Sequence, residues 1–136
     1  MPNILLDTRN LPSDINIEEL VSGMQTLPVK VVKINEQLSE NFLDGIDVFV
    51  SLNPKISPQD LQLISKRGIV PLLHKNFASV GFTTFQPIEE KGNSFLFEDW
   101  NNWQVFAALV RCLENYNFPY DWSNIVHSVK NLEIEI

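Results

Sequence analysis

The sequence predicts a single α/β domain over residues 1–136, with a mainly parallel, Rossmann-like sheet between two layers of helices. Short apolar runs rich in β-branched residues alternate along the chain with segments whose apolar residues recur at helical spacing. Strands and helices that alternate in this way form a parallel sheet with helices on both faces. A chain of 136 residues also has the usual size of one domain and is long enough to bury a sizeable core.

Five elements are predicted in the first 52 residues: strands over 4–6, 29–34 and 46–52, and helices over 17–24 and 38–43. Ser13 or Asp14 is the predicted N-cap of the first helix, and Gly45 ends the second. The strand over 46–52 is a nearly continuous apolar run, which is typical of a strand covered on both faces. We therefore predict that this strand lies at the centre of the sheet, with neighbours on both sides.

The middle of the chain continues the alternation. Ser57 and Pro58 open the next predicted helix, with serine as the N-cap and proline at the first helical position, and Gly68 ends this helix. A strand over 69–73 follows. Residues 74–91 are the least regular part of the chain, and they predict long loops with room for one short helix.

The C-terminal part begins with a short predicted strand over 93–97 and continues with two helices. Asp99 or Asn101 is the predicted N-cap of the longer helix, which Pro119 ends. Four residues at helical spacing are its predicted apolar stripe: Trp103, Phe106, Val110 and Leu113. The final helix is predicted over 122–129.

Composition and charge exclude several classes of partner. The chain has 17 acidic and 10 basic residues, a net charge of −7, whereas nucleic acids and anionic membranes both require a basic face. We therefore expect no nucleic-acid partner and no membrane partner. The longest apolar run is far too short to span a membrane, and the N-terminal residues do not have the pattern of a signal peptide. With one cysteine and no internal disulfide, the predicted location is the cytoplasm.

Reactive residues offer no obvious site. His74 and His127 are far apart in sequence, and we predict that both are surface or loop residues and that neither binds a metal. Cys112 lies within the long helix next to its apolar stripe. It is therefore predicted to be a small buried hydrophobic residue and not a nucleophile.

Three segments occur in an order that resembles a known family. SLNPKISPQDLQLISKRG at 51–68 joins two strand-like runs, GNSFLFEDWNNWQVFAALVRCLENY covers 92–116, and EQLSENFLDGID lies upstream at 36–47. Together they resemble the C-terminal, donor-side domain of GT-B glycosyltransferases of the glycogen and starch synthase type. The resemblance implies a GT-B C-terminal-domain fold. It also implies that two parts of the family have no counterpart here: the first β-α unit, whose Arg and Lys hold the donor pyrophosphate, and the acceptor-binding domain.

The resemblance places unsuitable residues at the donor-site positions. Lys55 stands where the family has a loop glutamate, and Pro58, which has no N–H, stands where a glycine amide approaches the donor phosphates. His74 and Asn76 fall in the turn that is Thr-Gly-Gly in the family. We therefore expect no catalytic residue, no metal, no cofactor and no nucleotide-sugar binding. We therefore predict that the chain has the fold of the family without its catalytic activity.

The resulting hypothesis is a non-catalytic glycosyltransferase-like domain that acts through protein–protein contacts. Five aromatic residues near the last two helices are its candidate interface: Trp100, Trp103, Phe118, Tyr120 and Trp122. Packing within the fold is the alternative role for most of them. A homodimer is also predicted, through an apolar edge or flank near residues 1–30, unless the helix over 17–24 folds across that edge and leaves a monomer.

Two other functions stay open. The chain is alternatively the donor-side half of a GT-B glycosyltransferase that is split between two chains, so that a partner supplies the acceptor side. The run Val48-Phe49-Val50 with its following loop also resembles the third strand of a two-component receiver domain. In that alignment Ser51 replaces the phosphoacceptor aspartate, and Asp7 alone replaces the paired acids. Such a pseudo-receiver is an interaction module that phosphorylation at that position cannot switch.

Overall fold

The computed structural model describes residues 1–136 and contains a five-stranded parallel sheet with the strand order β2-β1-β3-β4-β5. The strands are β1 (Asn3–Asp7), β2 (Lys30–Ile34), β3 (Val48–Ser51), β4 (Val70–His74) and β5 (Phe95–Phe97). The helices are α1 (Ile17–Met24), α2 (Pro58–Lys66), α3 (Asn102–Tyr116) and α4 (Pro119–Lys130). Two short 3-10 helices lie at Glu40–Phe42 and Lys75–Val80. None of the helices combines the length and the apolar content that crossing a bilayer requires.

The predicted central strand is confirmed. β3 is hydrogen-bonded to β1 on one side and to β4 on the other, and Phe49 lies beside Leu5 and Pro71 in the two registers. All four residues of β3 are buried. Their side chains alternate between the faces, so that Val48 and Val50 enter one core and Phe49 enters the other.

Helices cover both faces of the sheet, which confirms the predicted Rossmann-like α/β fold. On one face α1 and α3 bury Leu20, Met24 and Leu109 against the sheet. On the other face α2 buries Leu61 and Ile64. α4 contributes to both cores, since Ile125 belongs to the first and Val129 to the second.

One predicted N-cap and one predicted helix start are wrong by a few residues. The N-cap of α1 is Asn16 and neither of the two earlier candidates, because the Asn16 side chain accepts a hydrogen bond from the Glu19 amide at 3.1 Å. Ser13 and Asp14 are exposed residues of the preceding loop. α4 starts at Pro119, three residues before the predicted start, because proline fits the first helical position, which needs no N–H.

Two other predicted elements also differ. The predicted helix over 38–43 is only the three-residue 3-10 helix Glu40–Phe42, so the connection between β2 and β3 carries no full helix. α3 is capped by Asn101, one of the two predicted caps, but its predicted apolar stripe is wrong at three of four positions: Trp103 is 76% exposed, and Phe106 and Val110 are half-buried. The buried residues of α3 are Val105, Ala108, Leu109, Cys112 and Leu113.

Cys112 is fully buried, as predicted for a small hydrophobic residue. Burial in apolar surroundings raises the pKa of its thiol far above the ordinary value. A thiol that stays protonated at neutral pH is a poor nucleophile.

The strand order fixes where a ligand crevice can form. From β1 the chain moves outward to β2, then crosses back to place β3 on the other side of β1. The point between β1 and β3 is therefore the topological switch point, where doubly wound sheets bind ligands outside the carboxyl ends of their strands. The common Rossmann order 3-2-1-4-5-6 becomes the order seen here when its first strand is left out.

Candidate functional site

The switch point is bordered by the last residues of β1 and β3 and by the start of α2. Asp7 ends β1 and has no exposed surface, and Ser51 ends β3 and is also buried. The Ser51 hydroxyl lies 3.3 Å from the Asp7 Oδ2 atom, to which it donates a hydrogen bond. A buried carboxylate at this point of the sheet requires a counter-charge.

Arg9 supplies that counter-charge. Its Nε and Nη2 atoms lie 2.8 and 2.9 Å from the two carboxylate oxygens of Asp7, which makes the pair bidentate. Its Nη1 atom lies 3.0 Å from Oδ2 of Asp60, in the first turn of α2. Hydrogen bonding to Asp7, opposed by desolvation, raises the pKa of Arg9 above its ordinary value. The one arginine at the switch point is therefore occupied by two carboxylates of its own chain.

Amide groups extend this network across the crevice. The Asn53 side-chain oxygen accepts hydrogen bonds from the Asn10 side chain at 3.1 Å and from the Lys55 backbone amide at 2.9 Å. The Asn53 backbone amide donates to the Ser51 hydroxyl at 3.2 Å. Polar groups of the loops after β1 and β3 are thus paired with one another across the switch point.

The start of α2 offers few free N–H groups to an anion. Helix N-termini attract anions through free backbone N–H groups and the helix dipole. Here Pro58 occupies the first position without an N–H, and the Ser57 side chain accepts from the Asp60 amide at 3.2 Å. The Asp60 carboxylate already places a negative charge in the first turn. Lys55, in the loop before the helix, is exposed.

The prediction that His74 is a surface or loop residue is wrong. His74 is the last residue of β4 and is only 5% exposed. Its ring stacks on Trp100, with centroids 4.6 Å apart and planes 1° apart, and it meets Phe97 edge-on. Its Nδ1 atom accepts a hydrogen bond from the Asn76 amide at 3.1 Å, so the side chain caps the 3-10 helix Lys75–Val80. Desolvation lowers the pKa of His74, which favours the neutral ring.

Two of the five predicted interface aromatics are packing residues. Trp100 covers the His74 ring, as described above, and is half-buried. Trp122 is half-buried too and meets Tyr116 edge-on, with ring centroids 5.0 Å apart. These two tryptophans contribute to the interior of the domain and present little free surface.

The other three interface candidates are exposed but lie in separate places. Trp103 is 76% exposed near the start of α3, whereas Phe118 and Tyr120 are 61% and 65% exposed beyond its end. The 15 residues of α3 separate its two ends by roughly 20 Å, at about 1.5 Å per residue. The aromatic residues therefore form two distinct surfaces.

The segment that begins at Gly92 has a structural role. Gly92 has a φ angle of +127°, and a Cβ atom there would lie 2.4 Å from the Phe85 Cα atom, so no other residue fits. The Asn93 side chain accepts from the Thr83 amide at 2.9 Å and donates to the Gly81 carbonyl at 3.2 Å. This part of the motif holds the preceding loop against β5.

No group of three or more His, Cys, Asp or Glu side chains lies close enough together to bind a metal ion. His127 is exposed on α4, whereas His74 is buried at the end of β4.

The parallel sheet and the Gly92 segment agree with a GT-B domain of the glycogen and starch synthase type, and comparisons with known proteins confirm this resemblance. The chain is 31% identical over 94 residues to glycogen synthase 1 of Synechocystis sp., covering 67% of this chain and 20% of that protein. It is 29% identical over 98 residues to glycogen synthase of Gloeobacter violaceus, covering 70% of this chain and 21% of that protein. The chain thus spans about a fifth of the length of these curated relatives. No protein-family model matches it.

The fold comparison agrees. The catalytic domain of starch synthase IV from Arabidopsis thaliana, solved with ADP and acarbose bound, superimposes with a TM-score of 0.65. The alignment covers 98% of this chain and 35% of that one, at 17% sequence identity. At this identity the likeness establishes a shared fold.

Proposed function

We propose that this chain is a non-catalytic glycosyltransferase-like domain that acts through contacts with other protein chains. The observation that supports this most directly is the pairing of Arg9 with Asp7 and Asp60 at the switch point. In this fold the switch point is where an anionic ligand would be bound. Here its cation is already neutralised.

The energetic cost of moving the Arg9 guanidinium from Asp7 to a ligand supports the same conclusion. A pyrophosphate that took the guanidinium would leave Asp7, which has no exposed surface, as a buried and unpaired carboxylate. Breaking a buried ion pair in this way costs about 3–5 kcal/mol. Micromolar binding supplies only about 8 kcal/mol. A donor would therefore lose about half of its binding energy to the exchange.

The first prediction is that the protein does not bind nucleotide sugars. We expect isothermal titration with ADP-glucose, UDP-glucose and ADP to give no binding curve. Any dissociation constant should therefore lie above about 1 mM. The starch synthase IV catalytic domain, whose solved structure contains ADP, is the positive control for the ADP titration. A micromolar dissociation constant for either sugar nucleotide would overturn the non-catalytic proposal.

That contrary result would favour the second candidate, the donor-side half of a split GT-B glycosyltransferase. Its support is that both curated relatives are named as glycogen synthases. A partner chain would then have to supply the acceptor side of the cleft.

The pseudo-receiver alternative is less well supported. Receiver domains share the strand order 2-1-3-4-5 with this chain, so topology alone does not separate the two. However, two long helices, α3 and α4, follow β5 here, and the sequence relatives are glycogen synthases. We do not favour this alternative.

Self-association is a further proposal, supported by the edge of the sheet. β2 is an edge strand, and Val32 on it is 56% exposed. Val32 lies on the same face as Ile34, which is buried with Leu38 and Leu43, so the segment after β2 covers this face at Ile34 and leaves it exposed at Val32. α1 does not cover this face, because its buried residues belong to the opposite core. Lys30 and Lys33 discourage strand addition, so we propose that a second copy packs on the Val32 face.

The second prediction concerns this contact. Sedimentation velocity at micromolar concentration is expected to show a species of twice the 15.6 kDa chain mass. Val32→Lys should restore the single chain, because it places a charge on the contact. Ile88→Lys, at a site that is 98% exposed, is the matched control and should leave the dimer intact. A wild-type sample that sediments only at 15.6 kDa would rule the contact out.

A further inference from the structure

An open groove lies between α1 and α3, on the face of the molecule that carries Trp103. Its volume is about 310 Å³, at the lower end of the range of ligand-binding pockets. The groove is lined by Glu19, Leu20, Gly23, Asn102, Trp103 and Phe106. Trp103 is 76% exposed there, the most exposed tryptophan of the three in the chain.

The two helices that form the groove are held in place at their starts. The Asn102 side chain accepts a hydrogen bond from the Asn16 amide and donates one to the Asn16 carbonyl, both at 3.0 Å. Along the groove floor Gly23 has no side chain, and a Cβ atom there would lie only 3.3 Å from the Phe106 ring. The helices approach closely at this point, and the groove beside Trp103 stays open.

Charged residues near the groove are mainly acidic. α1 carries Glu18 and Glu19 and no basic residue, and Glu98 and Asp99 precede α3. The one basic residue of α3, Arg111, lies about two turns beyond Trp103, and its side chain donates to the Leu96 carbonyl. Glu19 lines the groove itself. A partner that complements this surface must therefore be basic where it meets the rim and apolar where it enters the groove.

We propose that this groove binds an arginine-bearing apolar segment of another protein. Apolar side chains of the partner pack against Leu20 and Phe106, and an arginine stacks on the exposed face of Trp103 beside the Glu19 carboxylate. Arginine suits this position because its planar guanidinium stacks on aromatic rings and pairs with carboxylates. The inference rests on the proposed function, that the domain acts through protein contacts, and it names the surface and the chemistry of the partner.

Two other occupants fit the groove less well. A second copy related by two-fold symmetry would bring the same acidic surface against itself, which like-charge repulsion opposes. An oligosaccharide needs several free polar groups around the aromatic ring. Both ends of the Asn102 amide are already used by Asn16, so the groove offers few of them.

The test uses the whole chain and a short synthetic helical peptide made of leucine and arginine. In a two-dimensional ¹⁵N–¹H NMR titration the indole N–H signal of Trp103, assigned by its loss in Trp103→Phe, should shift to saturation. Trp103→Ala should weaken peptide binding about tenfold or more by calorimetry, as expected for a central contact residue. Tyr120→Ala is the matched control: it also removes an exposed aromatic ring, and it should leave the affinity unchanged.

Control peptides separate the groove from general attraction to an acidic protein. Replacing leucine by serine or arginine by glutamate should each abolish saturation of the Trp103 signal. Equal peptide affinity for wild type and Trp103→Ala would overturn the inference. A Trp103 indole signal that shifts to saturation with maltoheptaose, or with rising protein concentration alone, would overturn it too. A peptide that instead shifts the signals of Phe118 and Tyr120 would show that the groove is not the binding site, and it would leave the proposed function standing. The nucleotide-sugar titration tests that function separately.

Discussion

Replacing Phe49 by alanine is expected to lower the free energy of unfolding by about 3–5 kcal/mol. Phe49 has no exposed surface and lies in the middle of β3, the central strand, where its ring enters the core under α2. Truncation removes this contact area and leaves a cavity that rigid strands on both sides cannot close. Urea denaturation followed by far-UV circular dichroism measures the change.

Phe118→Ala is the matched control for this substitution. Its ring is 61% exposed beyond the end of α3, so its loss should change stability by no more than about 0.5 kcal/mol. Similar losses at the two positions would mean that β3 is not the centre of the core.

Replacing Arg9 by methionine is expected to cost about 3–5 kcal/mol of stability, because it leaves the fully buried Asp7 carboxylate without its partner. Adding Asp7→Asn to this variant removes the unpaired charge. The double variant should therefore be more stable than Arg9→Met alone. The same denaturation experiment measures both.

A surface ion pair provides the comparison. Arg67 lies 2.7 Å from Asp44, but the side chains are 35% and 83% exposed. Arg67→Met should therefore cost less than about 1 kcal/mol. If the two arginine variants lose equal stability, burial of the Asp7 pair is not what stabilises the switch point.

The features that local chemistry determines could be predicted from the sequence. Ser57 and Pro58 cap and open α2 as predicted, because a cap depends on residues three or four positions apart. The central position of β3 followed from an apolar run that no exposed strand would carry. The prediction of the α1 cap was wrong because Ser13, Asp14 and Asn16 are all suitable cap residues, and local sequence does not choose among them.

The candidate site was harder to predict, because its contacts join distant parts of the chain. The alternation of Asp7 and Arg9 is visible in the sequence, but Asp60 lies 51 residues further on. His74 is covered by Phe97 of β5 and by Trp100, which follows β5, and both lie more than 20 residues further along the chain. Sequence spacing assigned Trp103 to the buried stripe, whereas α3 is rotated so that this residue faces outward.

The direct pairing of β1 with β3 has a consequence for how this fold could change. In the common Rossmann order a further strand stands between those two positions, and the loop after it faces the ligand. Here Leu5 and Phe49 are register partners, so no strand lies between β1 and β3, and no loop of such a strand faces the switch point. Substitutions at Lys55 or Pro58 change the loop after β3 and leave this strand pairing unchanged. On the proposed non-catalytic function, we therefore expect that such substitutions alone do not create nucleotide-sugar binding, since they add no strand between β1 and β3.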